Sequence, residues 1–177
     1  MNLGPTFALL YERFEIFLKA PITNPEILWI VAPLVISLFF ISLYFSRHRY
    51  EELGWNTAFG NTLVLIFVSL NLLQYLHSKN QIFPLNFKIS IIFALILIAL
   101  SVLILHFFHV LPKKLAFVIS SIIPMNLTAY VAIVIVYMDL PLDEFTIAGA
   151  LIFALFITLV IKTIFYLIPE SLIPDYE

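Results

Sequence analysis

The chain lacks cysteine, and this absence excludes disulfide bonds, thiolate metal sites and cysteine nucleophiles together. Charge is also scarce, at 11% of 177 residues against about 25% in a typical soluble domain. The formal net charge is −2, so we expect no nucleic-acid partner. There is no phosphate-binding glycine loop, no GxSxG elbow and no HExxH motif. We therefore predict no catalytic residues, metal or cofactor, and favour a protein that is not an enzyme.

Five long apolar runs fill most of the chain, and 63% of all residues are hydrophobic. The runs cover residues 27–45, 57–76, 89–110, 115–138 and 145–168. Each is close to the roughly 20 helical residues that cross a bilayer core of about 30 Å. The pattern predicts an all-α integral membrane protein, a five-span transmembrane helical bundle. No linker divides the chain, so we expect one membrane domain over residues 1–177, with a polar tail at 169–177.

The segment before the first span has a different, amphipathic pattern. Four apolar residues recur there at helical spacing: Phe7, Leu10, Phe14 and Phe17. Charged side chains occupy another face, which is typical of a short N-terminal interfacial helix, here residues 5–19. The same pattern also suits a helix packed on the rim of the bundle, and Pro21 is expected to end it.

Two helix starts are marked by capping residues. The segment of residues 24–26 resembles a helix start, with Asn24 as the N-cap, Pro25 at the first helical position and Glu26 at the positive end of the helix dipole. Asp143 is the corresponding N-cap of the fifth span.

Uncharged polar residues inside the spans are expected to face other helices. A candidate intramembrane polar path surrounds Pro124 and comprises Asn61, Asn71, Gln74, Asn126 and Thr128. In the fifth span, residues recur every fourth position as Thr146, Ala150, Ala154, Thr158, Lys162 and Tyr166. The small members of this series predict a helix-contact face.

Five spans place alternate joints on opposite sides of the membrane. Side A holds residues 46–54, 111–114 and the C-terminal tail, and side B holds 77–88 and 139–144. The basic residues of side A are Arg47, Arg49, Lys113 and Lys114. Side B, which also holds the N-terminal helix, has Lys79 and Lys88, with Arg13 and Lys19 in that helix, and its joint 139–144 contains no basic residue. The count favours side A when the N-terminal helix is discounted. The positive-inside rule then predicts a multi-pass protein of the cell membrane with a cytoplasmic C-terminus.

Polar residues collect at side A and form the candidate polar rim: His48, Glu51, Glu52, Trp55, Asn56, His106, His109 and Lys162. His106 and His109 could bind a metal with Glu51 or Glu52, or they could be two interfacial histidines that share a face. Residues 49–61 could form a binding site or only a structured turn. Lys162 could snorkel or contact a lipid phosphate, or it could serve transport.

Three functions fit these features. The first is a non-catalytic interaction or scaffold subunit of a membrane complex, whose partners are the lipid bilayer and a second copy or other membrane subunits. The alternatives are a transporter or channel for a neutral or lipid-like solute, and a membrane-embedded enzyme acting on lipid head groups at the rim.

Overall fold

The computed structural model describes residues 3–48, 54–82 and 86–167. Within these ranges 86% of the residues are helical and none lies in a strand. The helices are α1 (Leu3–Thr23), α2 (Pro25–Arg47), α3 (Trp55–Ser78), α4 (Phe87–Phe107), α5 (Lys113–Ile119), α6 (Ile122–Tyr137) and α7 (Glu144–Tyr166). Five segments are long and apolar enough to cross a membrane: α2, α3, α4, α5 with α6, and α7. The predicted all-α class is confirmed, and five segments have the length and apolar composition that the predicted spans require.

The helix starts follow the predicted capping residues. Asn24 accepts a hydrogen bond from the Glu26 amide at 3.1 Å, with Pro25 opening α2. Asp143 accepts from the Thr146 amide at 2.7 Å and begins α7. Both assignments are confirmed. They could be read from sequence because a cap involves only residues within one turn of each other.

Three helix ends share a tight C-terminal turn. Asn80, His109 and Asp139 have φ values of 54°, 50° and 55°, in the left-handed region. The next amide in each case reaches back five residues, as from Val110 to the Leu105 carbonyl at 2.9 Å. Glycine usually occupies this position, but Asn, Asp and His are the side chains that tolerate it best.

The fourth span is two helices rather than one continuous run over residues 115–138. α5 ends at Ile119, and α6 begins at Ile122 after a turn through Ser120 and Ser121. Pro124 lies in the first turn of α6, where its missing amide leaves the Ser120 carbonyl without a helical donor. The helical pairing therefore stops just before the proline.

α6 is the central helix of the bundle. It packs between α2 and α3, while α4 covers the other side of α3. Most of its second half is buried, including Ala129, Ala132, Ile133, Val134 and Val136. This explains why the apolar residues of α6 are not confined to one face, since its second half meets other helices on most sides.

α1 extends through Pro21 to Thr23, so the prediction that Pro21 ends the helix is wrong. Proline removes the hydrogen bond to the residue four positions earlier, which is Phe17. The Tyr130 hydroxyl of α6 donates to that carbonyl instead. A neighbouring helix therefore replaces the lost bond, and α1 continues.

The second half of α1 is packed into the bundle. Phe17 and Ala20 are fully buried, and Phe17 stacks on Phe153 with 5.8 Å between ring centroids. Phe14 meets Phe156 edge to face at 5.8 Å. α7 packs chiefly against α1, because its contacts with α2 and α6 are sparse. These contacts favour the interpretation of α1 as a helix packed on the bundle, and its position at a membrane interface stays a prediction.

Ion pairs join neighbouring helices at side B, where α3 and α6 end. Lys88 of α4 lies 2.8 Å from Asp139 after α6. Two longer pairs complete the set: Lys79–Glu26 at 3.6 Å and Arg13–Asp143 at 3.9 Å. The acidic joint 139–144 is thus paired with bases from α1 and α4. The Lys79–Glu26 pair is exposed at both residues, and a pair of that kind contributes about 0–1 kcal/mol.

Candidate functional site

A buried polar cluster surrounds the break between α5 and α6. The Asn61 side-chain amide donates to the Ser120 carbonyl at 2.8 Å, and this is the carbonyl that Pro124 leaves unpaired. Asn61 is 6% exposed and Ser120 is fully buried. The unpaired carbonyl at the break is therefore satisfied by a side chain of another helix, α3.

His106 completes this cluster from α4. Its Nε2 atom lies 3.1 Å from the Ser120 hydroxyl and 3.4 Å from the Ala116 carbonyl. The Thr62 hydroxyl donates to Ser120 Oγ at 3.3 Å and to the Ala58 carbonyl at 2.9 Å. The serine–histidine distance suits a nucleophile and its base, but His106 is 2% exposed and Ser120 is fully enclosed. The arrangement holds three helices together and offers no access to a substrate.

Trp55 joins part of the predicted rim. Its ring stacks on His109 at 4.2 Å and meets His106 at 5.9 Å and Phe117 at 5.3 Å. The two histidines therefore share Trp55, yet His106 points into the bundle and His109 is exposed. No group of three metal-ligating side chains occurs among the described residues. Glu51 and Glu52, which the metal hypothesis requires, lie outside the described residues.

The structure describes three other residues of the predicted rim. His48 stacks on Tyr44 at 4.7 Å at the end of α2. Asn56 is exposed in the first turn of α3. Lys162, on α7, lines a cavity together with Phe117 and the end of α2. The described rim residues thus include an aromatic cluster around Trp55 and, at Lys162, part of the wall of a cavity.

We call this cavity the side A cavity. It has a volume of about 460 Å³ and lies between the ends of α2 and α7 and the α5–α6 break. Its polar lining consists of Ser42, Ser46, Ser121 and Lys162. Aromatic and aliphatic side chains form the rest of the wall: Phe45, Phe117, Ile122, Ile123, Ile161, Phe165 and Tyr166.

Ser42 was not singled out from the sequence. It is 8% exposed, and its hydroxyl has no hydrogen-bond partner among the described residues. The sequence signal was weak, a single serine within the apolar stretch of residues 38–45. Serine is common in transmembrane helices, and its hydroxyl usually forms a hydrogen bond with a backbone carbonyl of its own helix. Only the structure therefore shows that the Ser42 hydroxyl lacks such a partner among the described residues.

A second cavity, the α6–α7 groove, runs from Lys162 toward side B. Its volume is about 680 Å³, and its wall on α7 includes Ala150, Ala154 and Thr158. Pro124 and Thr128 line the opposite wall on α6. The small residues of the predicted contact face therefore border an open groove, while Thr146 at the top of the series is fully buried.

The five residues of the predicted polar path do not line one cavity. Asn61 belongs to the cluster at the break, and Thr128 lines the α6–α7 groove. Asn126 borders a separate cavity of about 220 Å³ beneath α1 and donates to the Ile122 carbonyl at 2.8 Å. Asn71 and Gln74 are exposed on the outside of α3, where Asn71 donates to the Phe67 carbonyl at 2.9 Å.

The described chain is thus an all-helical protein with five helices long and apolar enough to span a membrane, which is compatible with a multi-pass membrane protein. Comparison of the chain with protein-family models, with curated proteins and with solved structures found no match in any of the three. The two cavities and the residues that line them are therefore the features of the molecule that bear on its function.

Proposed function

We propose that the chain is a non-catalytic interaction subunit of a membrane complex, and that a transmembrane helix of a partner subunit occupies the α6–α7 groove. The observation that carries this proposal is the α7 wall of the groove. Ala150, Ala154 and Thr158 follow one another at every fourth position and border open space. Small residues at this spacing allow the backbones of two helices to approach closely.

The packing of α1 supports the same proposal. α1 occupies the face of α7 near Gly149 and Phe153 and leaves the rest of the small-residue series uncovered. Among the described residues, the best-placed catalytic pair, Ser120 with His106, is enclosed. Catalysis by this pair would require buried groups to become accessible, whereas binding of a partner helix in the groove would not.

Photocrosslinking tests the proposal directly, because the chain has no native cysteine. Ala154→Cys carries a benzophenone probe into the groove, and Leu97→Cys, on the 67% exposed outer face of α4, is the matched control. We expect a protein adduct of defined mass at residue 154 in native membranes and only lipid adducts at residue 97. Equal adduct patterns at the two positions would contradict the proposal.

A packing variant provides the second test. Ala154→Leu fills the groove with three extra carbons and should abolish the adduct formed from a probe at Thr158→Cys. Because residue 154 faces open space, the thermal stability of the solubilised protein should stay unchanged. Mass analysis of the adduct distinguishes a second copy of the chain from a different subunit.

The proposed orientation places side A in the cytoplasm, as the basic residues there suggest. α1 would then begin at the opposite interface, where Phe7, Leu9 and Tyr11 are 71%, 40% and 58% exposed and available to lipid. Single cysteines at Lys114 and Ser78 report on the two sides. An impermeant maleimide applied outside intact cells should label residue 78 and not residue 114, and the reverse result would invert the orientation.

A further inference from the structure

We propose that the side A cavity binds the anionic head group of a membrane lipid, with Lys162 as the cationic partner and Ser42 as a hydroxyl donor. This inference concerns the side A cavity, which shares Lys162 with the α6–α7 groove.

Lys162 supplies the charge. It lines the cavity and forms no ion pair or hydrogen bond with any part of the chain that the structure describes. Two other described bases, Lys88 and Arg13, have acidic partners. A lone ammonium beside apolar walls is favourable only when an anion or water neutralises it.

Ser42 supplies the second, independent observation. Ser42 lines the same cavity, and its hydroxyl is buried and lacks a partner among the described residues. A buried hydroxyl without a partner costs free energy, and a ligand oxygen in the cavity would remove that cost. The neighbouring Ser46 hydroxyl donates to the Ser42 carbonyl at 2.7 Å and makes no hydrogen bond with the Ser42 hydroxyl.

The position of the cavity identifies the source of the anion. Lys162 lies four residues before the end of α7 at Tyr166. At 1.5 Å per residue this is about 6 Å of helix, a distance that places the ammonium near the head-group level. The remaining wall is formed by aromatic and aliphatic side chains. Such walls suit the glycerol and first acyl carbons of a lipid and disfavour a fully hydrated soluble anion.

Native mass spectrometry of the full chain in neutral detergent tests the proposal, with phosphatidylglycerol and phosphatidylcholine as probes. Phosphatidylglycerol should bind about tenfold more tightly, because a charged hydrogen bond is worth at least that factor. Lys162→Gln should remove the preference, and Lys162→Arg should keep it. Lys114→Gln, which changes an exposed lysine on the same side, is the matched control and should have no effect.

Ser42→Ala separates a binding role from a structural one. Removal of an unpaired hydroxyl should leave the melting temperature of the lipid-free protein unchanged or slightly higher. The rise in melting temperature on adding phosphatidylglycerol should nevertheless shrink. Equal affinities for the two lipids, or equal effects of Lys162→Gln and Lys114→Gln, would overturn the proposal. Displacement of the lipid by millimolar inorganic phosphate would also overturn it, since the cavity would then be a site for a soluble anion.

Discussion

The contact between α1 and α7 at Gly149 gives a sharp test of how the last span is held. A Cβ atom at position 149 would lie 2.8 Å from Arg13 Cβ and 3.3 Å from both the Arg13 carbonyl carbon and the Phe14 amide nitrogen. Carbon atoms pack at about 3.5–4.0 Å, so Gly149→Ala requires α1 to move by about 1 Å. None of these three atoms belongs to the flexible end of a side chain.

The expected magnitude comes from two opposed effects. Alanine is favoured over glycine in a helix interior by about 1 kcal/mol. Overpacking of this kind costs about 1–3 kcal/mol, so Gly149→Ala should destabilise the protein by up to about 2 kcal/mol. Gly60, inside α3, has nothing within 4 Å of its Cβ position. Gly60→Ala should therefore stabilise the protein by as much as about 1 kcal/mol.

Unfolding in mixed micelles with increasing denaturing detergent, followed by circular dichroism, measures both variants on the same scale. Hydrogen exchange at residues 13–20 then shows whether the loss is local to α1. A double-mutant cycle with Arg13→Gly, which removes the clashing Cβ, should recover part of the loss. Equal changes in stability from Gly149→Ala and Gly60→Ala, in the same direction, would refute the predicted overpacking between α1 and α7 at Gly149.

Two further predictions concern the break in the fourth span and the cap of α7. Asn61→Leu removes the donor to the Ser120 carbonyl and should cost about 1–2 kcal/mol in micelle unfolding. Combining it with Pro124→Ala, which restores an amide for that carbonyl, should reduce the cost, and an unchanged cost would contradict the assignment. The hydrogen bond from the Thr146 amide lowers the pKa of Asp143 below its ordinary value of 3.8. The cap therefore stabilises the fold above that pH and is lost as the pH falls through the lowered pKa, so the stability of Asp143→Asn should vary less with pH below about 4.

The sequence predicted most accurately what depends on neighbours along the chain. The apolar runs correspond to the five candidate spans, and Asn24 and Asp143 cap the helices that follow them. Each of these features is decided within a few residues by hydropathy or by a cap. The prediction from the local pattern was wrong at Pro21, because the donor Tyr130 is 113 positions away from Phe17. No local pattern predicts a hydrogen bond between residues so far apart in the sequence.

The candidate site was predicted only in part for the same reason. Lys162 was recognised because a charge within an apolar run is visible in any sequence. Its cavity and Ser42 were not, because a cavity depends on how α2, α5 and α7 diverge. The polar rim was predicted from topology, which places residues at one end of a bundle but does not say which of them face each other. The predicted function and orientation stay predictions.

The way α1 is packed has a consequence for the order in which the protein assembles. α1 precedes every span, yet its main partner is the last one, and Phe17 meets Phe153 only when α7 has been made. Until α7 has been made, the aromatic face of α1 can contact only the other helices, among them α6 with the donor Tyr130. Contacts of such large sequence separation form late and slowly. The first helix and the last therefore close the structure together, and a chain interrupted before α7 would leave its own N-terminal helix without its principal support.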